Sequence, residues 1–239
     1  MITSKDCYLR NNCKKYTKEP NYCSEDMFCV KLFKIDELYK GALLTEKQKQ
    51  RVILFPDADG TDYDKFLQLK NIETNIVNFV NEGRNLYLHS SRCGNGKTAW
   101  SIRLIQAYLD KIWCDSNLSC RALFINVPKY LLALKDSIGN PSEYVDYIKE
   151  NVTNADIVVW DELGIKNCTQ FEFENLLSMI NSRIDAGKSN IYTSNLTGSE
   201  LFEKVGDRLY SRIINTSYDI EFKGADKRRL GINDTKSSN

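Results

Sequence analysis

The chain has 239 residues, 33 Lys+Arg against 32 Asp+Glu, one histidine and a formal net charge of +1. With 42% apolar and 27% charged residues it has an ordinary globular composition, enough for one large domain or two smaller ones. No apolar run reaches the ~18 residues of a membrane span, and the start "MITSKDCYLRNNCKK" lacks the apolar core of a secretory signal. A cytoplasmic chain is expected, with its eight cysteines as thiols or metal ligands rather than disulfides.

The first segment is set apart by cysteines. Cys7, Cys13, Cys23 and Cys29 follow a C-x5-C-x9-C-x5-C spacing, with Tyr8, Tyr22 and Phe28 beside three of them. Four thiolates can close a tetrahedral Zn²⁺ shell or hold an iron–sulfur cluster, and a bound metal would staple a segment with little core of its own. Four reduced cysteines packed as small hydrophobes are the alternative. Residues 1–51 hold 11 Lys+Arg and 7 Asp+Glu, a net +4 that leaves −3 for the remainder. So small an excess fits an acidic partner, nucleic acid or plain solvation.

"VKLFKIDELYKGALL" reads as a helix on Leu32, Ile35, Leu38 and Tyr39. "LFPDADGTDYDKF" then brings Pro56, Gly60 and a run of aspartates, a turn-rich join. The expected division is a Cys-rich module over 1–55, a linker over 56–65 and a catalytic domain over 66–239.

From residue 66, helices and strands alternate. Phe66, Leu69, Ile72, Ile76, Phe79 and Val80 form one helical stripe, followed by a strand at 85–90 and a helix at 96–113. A strand at 121–127 leads through Pro128 into a helix to about Ile138. "NPSEYVDYIKENV" predicts a helix capped by Asn140 with Pro141 at its first position. A strand at 156–162, a helix at 171–187, a strand at 189–195, helical pieces at 199–205 and 206–214 and a strand at 218–222 complete the series. This alternation predicts an α/β fold, a parallel sheet flanked by helices on both faces.

Two motifs carry chemistry. "HSSRCGNGKTAW" lies between a strand and a helix and nearly matches G-x-x-x-x-G-K-[ST], with Ser91 in place of the first glycine. Backbone N–H groups of Ser91, Arg92, Cys93, Gly94, Asn95 and Gly96 would cradle phosphates at a helix N-terminus. Lys97 would reach the β- and γ-phosphates of ATP and the Thr98 hydroxyl would ligate Mg²⁺. "IVVWDELG" delivers Asp161 and Glu162 at the end of a buried strand, one carboxylate to hold Mg²⁺ and the other to polarise the attacking water. Asn195 ends the next strand, where an amide can orient that water. Arg208 and Arg212 lie four apart on one helical face, and Arg228 and Arg229 follow the last strand. With a single histidine, His89, and no suitable Ser or Cys partner motif, hydrolase triads are not supported.

In order, "GNGKT", "VVWDELG", "YTSNL" and "GDRLYSRI" resemble the AAA+ ATPases of the DnaC/DnaI helicase-loader type, which have many phage-encoded relatives and the IstB transposition ATPases as cousins. The resemblance covers roughly residues 66–230. It implies that Asn195 is sensor 1, that Arg212 is an arginine finger completing a neighbour's site and that Arg228 is the sensor 2 arginine. It implies ATP hydrolysis with Mg²⁺, self-association into an AAA+ oligomer, a replicative DnaB-type helicase hexamer as partner and contact with single-stranded DNA. The N-terminal module would grip the helicase. An IstB-like transposition helper and a small P-loop kinase are the alternative readings.

Overall fold

The computed structural model describes residues 7–9, 29–50, 54–57, 59–164 and 168–227. Strands β1 (Asn85–His89), β2 (Ala122–Asn126), β3 (Ile157–Asp161), β4 (Ser189–Ser194) and β5 (Ser217–Glu221) form one sheet in the order β2-β3-β4-β1-β5. Every neighbouring pair is parallel, as strands buried on both faces require.

Alternation along the strands splits the core into two layers. Leu86, Leu88, Phe124, Val159, Ile191 and Ile220 face one layer, and Tyr87, Leu123, Ile125, Val158, Trp160 and Tyr192 face the other. The first layer is covered by α1 (Val30–Gly41), α3 (Tyr63–Thr74), α4 (Ile76–Asn81) and α5 (Lys97–Ile112). The second is covered by α6 (Val127–Asp136), α7 (Glu143–Asn151), α8 (Gln170–Asp185) and α9 (Gly198–Ile214).

The stripe Leu32, Ile35, Leu38 and Tyr39 is buried as the sequence predicts, but against the same core as Leu88 and Leu104. A short helix α2 (Glu46–Lys49) fixes it there. Lys49 and Asp36, each 2% exposed, pair at 2.9 Å, and Gln106 Nε2 of α5 donates to Gln48 O at 2.7 Å. Leu9 joins this cluster, and Tyr8 stacks on Tyr39 with ring centroids 5.8 Å apart. Among the described residues, therefore, the chain on either side of positions 56–65 shares one core.

Local differences from the predicted elements have simple causes. The stripe from Phe66 to Val80 is two helices, interrupted at Asn75, whose backbone leaves helical values (φ −106°, ψ 23°) and whose amide bonds back to Asn71. The cap of α7 is Ser142, not Asn140: its extended backbone lets the hydroxyl accept from Val145 N, leaving Pro141 before the helix. In α9, Gly206 at φ 70° and ψ 165° breaks the helix into the two pieces expected.

The N-terminal edge of the sheet is closed by Arg183, fully buried on α8. Nε donates to Asn190 Oδ1 at 2.7 Å, Nη1 to Val152 O and to Ala155 O at 2.7 Å, and Nη2 to Asp156 O and Ser189 O. Burial pulls its pKa down to about 10, so it remains charged at neutral pH. Beside it, Asp156 takes Arg121 Nε, Lys188 Nζ (3.1 Å) and the Tyr108 hydroxyl (2.8 Å).

Candidate functional site

The opposite, C-terminal edge carries both motifs, where open α/β sheets bind ligands. The connection from β1 to α5 is the glycine loop. Gly96 caps α5 at φ 102° and Gly94 stands at φ 80°, conformations that disfavour a side chain. A Cβ on Gly94 would also fall 1.9 Å from Asp226 Oδ1.

Ser90, 1% exposed, organises this loop from below. Its Oγ accepts from Arg92 N at 3.0 Å and from Asn95 Nδ2 at 2.6 Å. The other end of the Asn95 amide accepts from Lys97 Nζ at 3.0 Å, and Lys97 Nζ also donates to Arg92 O at 3.0 Å. Ser91, Arg92 and Cys93 are exposed, while Asn95 and Lys97 are buried. The serine at the first motif position thus lies outside the hydrogen bonds that shape the loop.

Strand order brings the second motif against the first. β4 lies between β1 and β3, and Leu88 is opposite Thr193 while Trp160 is opposite Tyr192. Asn126 of β2 is opposite Asp161. Asp161 Oδ1 accepts from Thr98 Oγ1 at 2.9 Å and from Thr193 Oγ1 at 2.8 Å, and Asn126 Nδ2 stands 3.5 Å from Oδ2. Burial pushes the Asp161 carboxyl above the usual carboxylate range. The two hydroxyls oppose this and the Glu162 charge reinforces it.

Glu162 sits in the left-handed region at φ 62°, uncommon for a side-chain-bearing residue. Its N–H donates to Thr193 Oγ1 at 3.0 Å, and its Oε2 accepts from Asn126 Nδ2 at 3.1 Å. Leu163 N bonds Thr193 O at 2.8 Å, completing the turn. An acceptor pair on a buried carboxylate, a hydroxyl beside it and an ammonium in a glycine loop suit a hard divalent cation with a polyphosphate.

The remaining predicted residues are less gathered. Asn195 is half-buried, just past the end of β4, while its neighbour Ser194 bonds Leu163 O at 2.8 Å. Arg208 and Arg212 are exposed on α9, and Arg212 Nη1 stands 3.7 Å from Asp185 Oδ1. Arg228 and Arg229 lie outside the described residues. So do Cys13 and Cys23, while Cys7 and Cys29 are half-buried against one hydrophobic cluster. Among the described residues, no group of three His, Cys, Asp or Glu is arranged to hold a metal ion. His89 stacks on Tyr87 (4.8 Å) and pairs with Asp219 (2.8 Å), a structural position at the strand end. Three site residues escaped the sequence reading: Ser90, Asn126 and Thr193. Each is a small polar side chain on a strand or at its end, with only its cross-strand neighbours to mark it.

Strand order β2-β3-β4-β1-β5, with the glycine loop between β1 and α5, is an open parallel α/β fold. Among solved structures it is similar to the DnaC helicase loader, at 18% identity and TM-score 0.61 over 75% of this chain and 100% of that one. It is likewise similar to DnaI, at 21% and 0.58 over 77% and 94% of the two chains. AMPPCP-bound DnaA from Aquifex aeolicus aligns at 16% and 0.52, over 77% of this chain and 52% of that one. At these identities the likeness is one of fold, and the fold is that of the DnaC/DnaI type. No family model and no curated protein sequence matches the chain. Among the described residues, no helix is long and apolar enough to cross a membrane.

Proposed function

We propose that this protein is an ATPase that loads a hexameric, DnaB-type replicative helicase onto DNA, working as an oligomer with sites shared between subunits. The observation that carries the ATPase reading is the 2.9 Å bond from Thr98 to Asp161, 63 residues apart, beside the Lys97 loop. Thr98 and Asp161 are the residues that would hold Mg²⁺, which would supply positive charge against the phosphates. Lys97 and the N–H groups of the loop bind the phosphates. Glu162 orients and polarises water, with Asn195 within reach of the same edge.

Arg212 supports a shared site. Helix α9 starts just after the C-terminal end of β4 and runs back to the start of β5. The helix is interrupted at Gly206, and Arg212 in its second piece meets Asp185 at the C-terminal end of α8. This exposed position beside Asp185 supports a role in another copy's site. The similarity to the DnaC helicase loader supports the helicase partner, and similarity to a DnaA solved with AMPPCP and single-stranded DNA supports contact with that strand. The C-x5-C-x9-C-x5-C spacing supports a zinc ion, or an iron–sulfur cluster, in the head that would grip the helicase.

The test is ATP binding and phosphate release, with and without single-stranded DNA and a replicative helicase. Lys97→Ala should lose nucleotide binding. Glu162→Gln should bind ATP yet hydrolyse it on the order of 10²–10³ more slowly. Equal rates for wild type and Glu162→Gln would refute the assignment, and failure to co-purify with or load any replicative helicase would refute the loader role.

A further inference from the structure

We propose that Thr193 is a positioning residue that sets both carboxylates of the site. This rests on the ATPase reading above.

The direction of its hydrogen bonds is fixed by chemistry. The Glu162 N–H can only donate, so the Thr193 hydroxyl accepts there at 3.0 Å. Its own proton is then free for Asp161 Oδ1, 2.8 Å away. One hydroxyl, 2% exposed in a central strand, thereby holds the backbone of one acid and the side chain of the other.

The two hydroxyls on Asp161 Oδ1 are not equivalent. The Thr98 oxygen is the one a cation would claim, and its bond to Asp161 is exchangeable on that event. Thr193 lies a strand away from the glycine loop and remains as the fixed partner of the carboxylate. Its second bond holds Glu162 at φ 62°, a backbone state that persists only where its surroundings enforce it. Without the hydroxyl, Glu162 loses one of its anchors just where its carboxylate must meet water. The methyl group of threonine suits a central strand, so the residue type satisfies packing and positioning together.

The experiment compares Thr193→Val, which keeps shape and removes the hydroxyl, with Thr193→Ser, which keeps the hydroxyl. Thr193→Val should lower kcat about 10–100-fold, the usual range for a group that orients ligands from behind. The KM for ATP should move much less. In a direct binding assay with a fluorescent ATP analogue, the Mg²⁺ concentration for half-maximal binding should rise. Thr193→Ser should recover most of both. Ser194→Ala removes the neighbouring hydroxyl, which bonds Leu163 O, and should lower thermal stability without changing kcat or the Mg²⁺ midpoint. If the valine variant no longer holds nucleotide, Thr193→Cys, similar in size with only a weak S–H donor, takes its place with the same expectation. Wild-type kcat and Mg²⁺ midpoint in the folded variant, or equal losses in the valine and serine variants, would overturn the proposal. An active wild type with an unaffected Thr193→Val sinks this proposal alone, whereas an inactive wild type sinks the ATPase reading.

Discussion

Asp156 and Asp161 stand at the two ends of β3 and are pushed in opposite directions. Burial raises both. At Asp156 the Arg121 guanidinium, the Tyr108 hydroxyl and the Lys188 ammonium outweigh it and hold the carboxyl below the usual range. At Asp161 the hydrogen-bond partners are neutral (Thr98, Thr193 and Asn126), and burial prevails. The N-terminal edge of the sheet carries its own counter-charges. Among the described residues, the hydrogen-bond partners thus balance the charge of Asp156 and leave that of Asp161 to burial, a contrast that fits a staple at one edge and a ligand site at the other.

The sharpest way to break this comparison is Arg212. The N-terminal edge absorbs Arg183, Arg121 and Lys188 in tight contacts. Arg212, by contrast, meets Asp185 only at 3.7 Å, with both side chains about half or more exposed. An ion pair of that kind is worth ~0–1 kcal/mol, so Arg212→Ala should leave stability and ATP binding nearly unchanged. As a finger in a neighbour's site it should cut hydrolysis by ~10³–10⁵. Mixing Arg212→Ala with Lys97→Ala should restore part of the activity, at interfaces that pair an intact Lys97 with an intact Arg212. Full activity in Arg212→Ala, independent of protein concentration, would remove the shared-site model.

Next in size is the paired substitution of the aspartates themselves. Asp156→Asn leaves Arg121 and Lys188 without their partner and should destabilise the protein by about 1–3 kcal/mol at neutral pH. Asp161→Asn removes a carboxylate held in an unfavourable state and should raise the melting temperature while abolishing hydrolysis. The pH dependence follows with opposite signs. Because the folded pKa of Asp156 is depressed, its stabilisation is present above the unfolded value near ~3.9 and is lost as pH falls through the folded one. Because that of Asp161 is raised, its contribution is present below the unfolded value and is lost as pH rises through the folded one. Denaturation at pH 7 and at steps below about 3.9 should therefore show Asp156→Asn closing its gap to wild type only as pH falls beneath that value. Equal melting temperatures for both variants at pH 7 would contradict the contrast.

How much of this was readable beforehand follows the same division. The glycine loop, Lys97, Thr98 and the Asp161–Glu162 pair are contiguous motifs, and periodicity placed them at strand ends. Asn126 and Thr193 act through a row running across the sheet, and a row depends on strand order, which local pattern does not specify. Nothing local in the sequence marks Arg183, a basic residue in the last turn of α8. Its burial depends on carbonyls from Val152, Ala155, Asp156 and Ser189 converging at one sheet edge. The join over 56–65 was read from Pro56, Gly60 and the aspartates as a boundary. Among its described residues Asp59 and Asp64 are exposed, while Asp62 is only 4% exposed because it accepts Lys223 N at 3.0 Å and Gly224 N at 2.7 Å.

That last contact leads to the smallest effect expected. Beyond β5 the chain crosses the glycine loop, with Lys227 N bonded to Gly94 O at 3.0 Å and Arg92 Nη1 to Lys223 O at 3.4 Å. The Lys227 ammonium is held to Asp57 at 3.1 Å. The Asp226 carboxylate is pressed against Gly94 where a Cβ would otherwise stand. This acid belongs to neither carboxylate class above: it is exposed and lies against the glycine loop. On the proposed reading, polyphosphate arriving on the loop would meet that charge and compete with the segment. Asp226→Asn should therefore bind ATP about fivefold more tightly, at the low end of ordinary coupling between two states. The gain should shrink as salt screens the exposed carboxylate. Hydrogen exchange at Phe55–Asp62 should rise on ATP binding in the wild type and start higher in the variant. Unchanged affinity would reduce Asp226 to packing against Gly94, and weaker binding would make it part of the cradle rather than its competitor.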